Sequence, residues 1–249
     1  MQLLELFQKN PRFAVAFSGG VDSSYLLYAA DEAGSDVHAY FIKTEFQPQF
    51  ELEEAINFAK SIDVPLTVEN YSVLGEPCIL ENPPDRCYLC KSKILERLWK
   101  LASEDGFTVL CDGTNADDDE SDRPGMKALR ELEVISPLRE SGLGKDEIRL
   151  LSGKAGLPTY NKPAYACLAT RIPAGTEITR ELLDRIERSE NALFKMGFSD
   201  FRVRFMPPDT ARLQMPNSQW AGAAARREEI LEVLSRDFNN VVLDMKFRG

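Results

Sequence analysis

Short apolar runs of strand length alternate with amphipathic stretches along most of this chain. Phe13-Ala14-Val15-Ala16-Phe17 is a continuous apolar run. After a serine- and glycine-rich turn, Tyr25-Leu26-Leu27-Tyr28-Ala29-Ala30 continues a helix that Gly34 can close, and Val37-His38-Ala39-Tyr40-Phe41-Ile42 forms a second run. That is a β-α-β unit. The alternation predicts a further helix from Glu51 to Ile62, a strand at Pro65 to Val68, a helix from about Ser92 to Leu101 and a strand at Phe107 to Cys111. Val134 to Leu138 is the next predicted strand, and Lys145 to Ser152 a helix stopped by Gly156 and Pro158. Such a sequence predicts an α/β fold, a doubly wound and mostly parallel sheet covered on both faces, with ligands bound at the carboxyl ends of its strands. Asp112-Gly113-Thr114-Asn115 falls at such an end, and the acidic stretch Asp117 to Pro124 is either a loop over the site or a solvated turn.

Beyond Pro158 the texture changes. Thr159 to Thr176 holds two prolines, small residues and a cysteine, as a linker or an active-site loop does. A long amphipathic helix is then predicted from about Glu177 to Met196, strands at Phe201 to Phe205 and Ala211 to Met215, a helix near Gln219 to Ser235 and a strand at Val241 to Lys246. The resulting division is a main domain over 1–160, a loop over 161–176 and a smaller C-terminal α/β domain over 177–249.

Charge narrows the partners. Thirty basic against forty acidic residues give a net charge of −10, which repels polyanions over most of the surface and points to a small molecule rather than nucleic acid. No apolar run approaches the roughly 20 residues that span a bilayer, and the N-terminus has no basic region or cleavage signal, so a cytoplasmic chain with no membrane partner is expected. In a reducing compartment its five cysteines are metal ligands, nucleophiles or buried apolar residues before they are disulfides.

The turn after the first strand, Ser18-Gly19-Gly20-Val21-Asp22-Ser23-Ser24, carries the clearest chemistry. Glycines let the backbone approach a ligand closely, and amides at the start of the next helix attract phosphate. Ser18, Ser23 and Ser24 supply hydroxyl donors, and Asp22 can orient a lysine, a water or Mg2+ on the same phosphates. A serine-capped strand-to-helix turn is the plainer alternative. The full SGGxDS string resembles the signature of the PP-loop ATP pyrophosphatases, which split ATP into AMP and pyrophosphate; the Gly-Lys-Ser/Thr of a γ-phosphate-transferring loop is absent.

Cys87-Tyr88-Leu89-Cys90 places two thiols at the start of a helix from Lys91 onward, where amides and the flanking Arg86, Lys91 and Lys93 would lower their pKa values. An incidental pair is the alternative. A closed zinc site needs four ligands, and there is no second such pair. Cys167, in Tyr165-Ala166-Cys167-Leu168-Ala169-Thr170-Arg171-Ile172-Pro173, is the third candidate, either a ligand or a small residue in a packed loop. Three thiolates suit a 4Fe-4S cluster with one open iron better than tetrahedral zinc. Cys111, inside an apolar run, is expected in the core, Cys78 is either a spare ligand or without a role, and His38 is expected to be a satisfied strand residue rather than a ligand.

In order, SGGVDSS, RCYLCK, DGTNADD, Arg123 to Lys127, CLATRIPAG and Phe201-Arg202-Val203-Arg204-Phe205 resemble the LarE type of ATP-dependent sulfur transferase over nearly the whole chain. The resemblance implies adenylylation of a carboxylate of pyridinium-3,5-biscarboxylic acid mononucleotide followed by sulfur insertion, on the route to the nickel-pincer nucleotide cofactor of lactate racemase. It implies ATP and Mg2+ as cofactors, a homo-oligomer assembled through the C-terminal domain, and either a sacrificed cysteine at Cys167 or a three-cysteine cluster held by Cys87, Cys90 and Cys167. The presence of Cys87 and Cys90 favours the cluster. Arg171, Arg202 and Arg204 would clamp the substrate phosphate, although Arg202 and Arg204, at alternate positions, would also suit one solvated face of a strand. Competing classes are tRNA thiolation, an ammonia-using synthetase of the GMP or NAD kind, and a non-enzymatic iron-sulfur redox module.

Overall fold

The computed structural model of the protein describes residues 3–118 and 125–248. In chain order the elements are α1 (Leu3–Lys9), β1 (Arg12–Ala16), α2 (Val21–Glu32), β2 (Asp36–Lys43), α3 (Gln49–Ser61), β3 (Leu66–Asn70), α4 (Pro77–Leu80), α5 (Arg86–Glu104), β4 (Leu110–Asp112) and α6 (Gly125–Glu131). There follow α7 (Pro137–Glu140), α8 (Lys145–Lys154), α9 (Arg180–Lys195), β5 (Arg202–Met206), β6 (Thr210–Gln214), α10 (Asn217–Ala225), α11 (Arg227–Leu234) and β7 (Asn240–Leu243). They form two compact units, one of Met1–Ser72 and Asp85–Ala164, the other of Val73–Pro84 and Tyr165–Gly249.

The first unit is built on four parallel strands in the order β3-β2-β1-β4. Its apolar runs are continuous because the sheet is covered on both faces. Phe13, Val15 and Phe17 pack on one side with Leu26, Leu27, Phe58 and Ile148, while Ala14 faces the other side with Tyr40, Leu95, Leu98 and Leu129. Parallel pairing aligns the carboxyl ends, so Ala16 lies opposite both Tyr40 and Asp112 and the connections leaving β1 and β4 share one edge. The predicted strand at Val134 to Leu138 shrinks to a single parallel bridge between Ile135 and Cys111, because Pro137 opens the short helix α7 instead. Of the acidic stretch Asp117 to Pro124, everything beyond Asp118 lies outside the described residues.

In the second unit β6 pairs antiparallel with β5 and parallel with β7. The amphipathic α9 buries Leu182, Leu183, Ile186 and Leu193, and Thr179 caps it by accepting a hydrogen bond from the Leu182 amide at 3.2 Å. The long helix predicted near Gln219 to Ser235 breaks in two at Arg226, whose guanidinium turns back to donate to the Met196 carbonyl at 2.7 Å.

The units divide the chain at Ala164 and Tyr165, and residues 73–84, placed by sequence in the main domain, pack with the second unit. Asn82 makes the tie. Its side-chain amide donates to the Ile172 and Pro173 carbonyls at 3.3 and 2.9 Å, and its own carbonyl accepts from the Gly175 amide at 2.9 Å. Contacts between residues some 90 positions apart leave no local pattern in the sequence. Among the described residues no helix is long and apolar enough to cross a membrane.

Candidate active site

The glycine loop sits between β1 and α2 as its composition predicts. Gly19 adopts φ +69, and a Cβ there would lie 3.1 Å from the Ala55 Cβ, so both conformation and space require glycine. Gly20 is the N-cap of α2 with φ −79 and contributes no side-chain cap, which leaves the opening amides of the helix for an anion. The serines divide their work differently from the expectation of three ligand donors. Ser23 is buried and its hydroxyl is tied inside the loop to Ser18 Oγ at 3.0 Å and to the Gly20 carbonyl at 3.3 Å, while the Ser24 hydroxyl is fully buried without a hydrogen-bond partner among the described residues. Ser18 is the exposed one.

The β4 carboxyl end closes against this loop. A Cβ at Gly113 would fall 2.6 Å from the Ser23 amide nitrogen and 2.8 Å from its Cα, a backbone approach that excludes every other residue. Asp112, buried, accepts from Ser136 Oγ at 2.7 Å, Thr114 Oγ1 at 2.6 Å and Lys91 Nζ at 3.4 Å. It is a brace for the strand end. Asp22 points the same way: its Oδ2 accepts from Lys145 Nζ at 2.6 Å and Asn115 Nδ2 at 3.4 Å, while its Oδ1 is buried with no hydrogen-bond partner among the described residues. An unpaired buried carboxylate oxygen fits a metal ion or a bound donor. From the far end of the unit, Lys162 donates to the Gly19 carbonyl at 3.0 Å and pairs with Glu54 at 2.6 Å.

Cys87 and Cys90 fall in the opening turns of α5, which begins at Arg86 rather than Lys91 and runs to Glu104. At positions i and i+3 they share a face. Of the flanking bases expected beside the thiols, Arg86 reaches Cys87 Sγ at 3.5 Å, but Lys91 turns to Asp112 and Lys93 to Glu96, because successive helical positions diverge by about 100°. Cys87 is exposed and Cys90 half-buried. Cys167 lies in the second unit, half-buried, immediately before a short helical turn, Leu168–Arg171. Within either unit, no group of three His, Cys, Asp or Glu residues that could hold a metal occurs among the described residues. His38 pairs with Thr67 Oγ1 at 2.8 Å and stacks on Tyr40, a satisfied strand residue.

Arg171 has a different place from the phosphate contact expected of it. Its side chain has no solvent exposure; Nε and Nη2 meet both oxygens of Glu190 at 3.0 and 2.9 Å, and Nη1 meets the Ala166 and Cys167 carbonyls at 2.6 and 3.2 Å. Arg171 therefore holds the loop around Cys167 through the Ala166 and Cys167 carbonyls. Arg202 is buried as well, stacked on the Tyr165 ring at 5.1 Å, so it is no solvated strand face. Arg204 donates to the Thr170 carbonyl at 2.7 Å and stands opposite Arg212 across the β5–β6 pair. Burial, then the charge of Arg171, pulls the pKa values of Arg202 and Arg204 below the ordinary arginine value. The cluster holds more positive than negative groups, a composition that an anion would stabilise.

The comparisons with known proteins now bear on these two clusters. The chain is 31% identical over 237 residues to the pyridinium-3,5-bisthiocarboxylic acid mononucleotide synthase of Lactiplantibacillus plantarum, spanning 94% of this chain and 86% of that protein. The chain belongs to the LarE family. Two uncharacterised proteins share the match: one from Synechocystis sp. is 36% identical over 87% of this chain and 81% of its own length, and one from Methanocaldococcus jannaschii is 34% identical over 79% and 75%. The family profile described as the tRNA methyl transferase HUP domain matches residues 11–73, a stretch that contains β1, the glycine loop, β2 and β3. As a LarE-family protein the chain is an ATP-using sulfurtransferase of the PP-loop class, which sets aside a purely redox role.

Lys145, Lys162, Glu190 and Arg212 stand in these clusters although no motif marks them, and Lys91, the last residue of RCYLCK, turns to Asp112 rather than to the thiols. Each has a partner more than 20 positions away in sequence: Asp112 for Lys91, Asp22 for Lys145, Gly19 and Glu54 for Lys162, Tyr165 for Glu190 and Asp244 for Arg212. For this LarE-family chain in its metal-free form, a thiol reagent near pH 8 is expected to modify the exposed Cys78 and Cys87 rapidly. Cys111 is buried, and burial pushes its thiol far above the usual cysteine range, so it should react only after unfolding. Peptide mapping of the labelled protein checks this; native-state labelling of Cys111 would contradict it.

Proposed function

We propose that the protein adenylylates a carboxylate of pyridinium-3,5-biscarboxylic acid mononucleotide and converts the activated group to a thiocarboxylate. The observation that carries this reading is the pairing of an uncapped glycine loop, beside which Asp22 Oδ1 has no partner among the described residues, with similarity to the Lactiplantibacillus plantarum synthase over 94% of this chain. A carboxylate oxygen is a poor leaving group. In the first step it bonds the α-phosphorus of ATP, the bond to the bridging oxygen breaks, and pyrophosphate carries away the electron pair. The amides of α2 receive the phosphates, and Asp22 would hold Mg2+, which offsets their charge. In the second step a sulfur nucleophile attacks the acyl carbon and AMP departs.

The substrate's own phosphate is assigned to Arg202, Arg204 and Arg212, which gather on and beside the β5–β6 pair, where the pKa values of Arg202 and Arg204 are lowered by burial and by the charge of Arg171. Arg171 orients the Cys167 backbone instead. The donor set of Cys87, Cys90 and Cys167 is soft and three-fold, which fits a 4Fe-4S cluster, and such a cluster would supply sulfide when bound. The same reading includes a homo-oligomer formed through residues 177–249 and a cytoplasmic setting in which thiols stay reduced.

The test is sulfur turnover after anaerobic reconstitution with iron and sulfide, using ATP and the dicarboxylate nucleotide. More than one thiocarboxylate per chain is expected. Turnover that stops at one sulfur, with Cys167 losing its sulfur by mass spectrometry, would replace the cluster with a sacrificed cysteine. Cys87→Ala is expected to lose bound iron and sulfur transfer yet keep substrate-dependent AMP formation; absence of AMP formation in the unaltered protein would overturn the reading.

A further inference from the structure

Lys145 is the one ammonium group among the described residues that the structure ties to Asp22. Its Nζ lies 2.6 Å from Asp22 Oδ2, across 123 positions of sequence. The approach is built from the backbone: the Lys145 amide donates to Asp117 Oδ2 at 2.6 Å, and a Cβ at the preceding Gly144 would lie 2.9 Å from that same oxygen. Glycine at 144 therefore lets the start of α8 press onto Asp117, which in turn is held by Asn115, whose Oδ1 accepts from the Asp117 amide at 2.9 Å. Asn115 also reaches Asp22 through its Nδ2. The chain Asp117, Asn115 and Asp22 thus surrounds one lysine whose position it determines.

The electrostatics give that lysine a task. Asp22 stands in the first turn of α2, where a bare carboxylate would repel the phosphates that the helix amides attract. An ammonium has three donors, and Lys145 spends one on Asp22. With about a third of its side chain exposed, it can turn the others toward a ligand without leaving its tether. Lys162, bonded to the Gly19 carbonyl, supplies a second positive charge at the other end of the same loop.

We propose that Lys145 is a catalytic residue of the activation step, an ammonium held by Asp22 that donates a hydrogen bond to the departing pyrophosphate. Deepening the ATP-using assignment, it depends on ATP cleavage but not on which acceptor is adenylylated. As an acceptor oxygen bonds the α-phosphorus, the bond from that phosphorus to the bridging oxygen breaks and its electron pair stays with pyrophosphate. Lys145 remains protonated throughout and meets the negative charge that develops on the leaving oxygens. AMP, which lacks the pyrophosphate, makes no use of this contact.

The experiment compares the affinities of magnesium pyrophosphate and of AMP, by calorimetry, for the full-length protein and its Lys145→Met and Lys145→Arg variants. Lys145→Met is expected to weaken pyrophosphate binding by at least about tenfold, the size of one lost charge-assisted hydrogen bond, and to leave AMP binding within about twofold. Lys145→Arg, which keeps charge and donors, should recover most of the pyrophosphate affinity. Parallel loss of AMP and pyrophosphate would show that Lys145 only props the loop, and unchanged pyrophosphate affinity would remove it from the reaction. Neither binding measurement involves the dicarboxylate nucleotide or sulfur, so failure here is separable from failure of the thiocarboxylate assay.

Discussion

Replacing Glu190 by alanine is expected to destabilise the second unit by about 3–5 kcal/mol, the cost of leaving a buried charge without its partner. Glu190 is 1% exposed and accepts from Arg171 Nε and Nη2, from the Val203 amide at 2.9 Å and from the Tyr165 hydroxyl. Removing it strands the Arg171 guanidinium, which has no solvent access, beside Arg202 and Arg204. A domain holds only about 5–15 kcal/mol in all, so the loss is a large fraction of its stability. Because the chain has two units, the measurement needs a local probe. Of the two tryptophans, Trp220 lies in the second unit and Trp99 in the first, so urea unfolding followed by fluorescence in a Trp99→Phe background isolates the affected part. The double variant Glu190→Leu with Arg171→Met, apolar at both positions, should regain much of the loss. A single variant within about 1 kcal/mol of the parent would show that the pair is not the keystone of this unit.

The second large effect belongs to Gly113. Alanine there would bring a methyl group to 2.6 Å from a backbone nitrogen, and backbone cannot yield as a flexible side chain does. Ser23 and the opening turn of α2 must move. Overpacking of this kind costs about 1–3 kcal/mol, and a shift of about 1 Å in a phosphate-binding loop can cost about a hundredfold in rate. Gly113→Ala is therefore expected to cut ATP-dependent AMP formation by about two orders of magnitude while circular dichroism still reports a folded chain. Gly222→Ala is the control: it lies in α10 of the second unit, and an added Cβ would meet nothing within 4 Å outside its own helix backbone, so it should keep activity within a few-fold. If the two variants lost activity equally, close approach at Gly113 would not be the reason for its glycine.

Much of the first unit was legible because its signals are local. Phe13 to Phe17 and Val37 to Ile42 are continuous apolar runs because both faces of a parallel sheet are covered, and the glycine loop between β1 and α2 declares itself through residues adjacent in sequence. The length of α5 was underestimated because its opening turn, Arg86 to Leu89, is not an apolar pattern, and the strand at Ile135 was overestimated because Pro137 limits pairing to one bridge. Arg171 illustrates what local signals leave out. An arginine beside a loop cysteine reads as a ligand contact, yet its donors go to Glu190 on α9 and to carbonyls of its own loop. Arg202 likewise alternates as a solvated residue would, but stacks on Tyr165 and is buried.

By itself the sequence determined the class of chemistry: a glycine loop after the first strand, a paired and a distant cysteine, and an alternation that makes a doubly wound sheet. These depend on residue type and short spacing, which is where backbone conformation and helical or strand periodicity are encoded. Only the tertiary structure decided which charged side chains serve the loop and which serve the fold. It set Lys145 on Asp22, Lys91 on Asp112 and Arg171 on Glu190, and joined residues 73–84 to the second unit through Asn82. The physical reason is that a long cationic side chain finds its partner by proximity in space, and burial then makes the choice of partner costly to change.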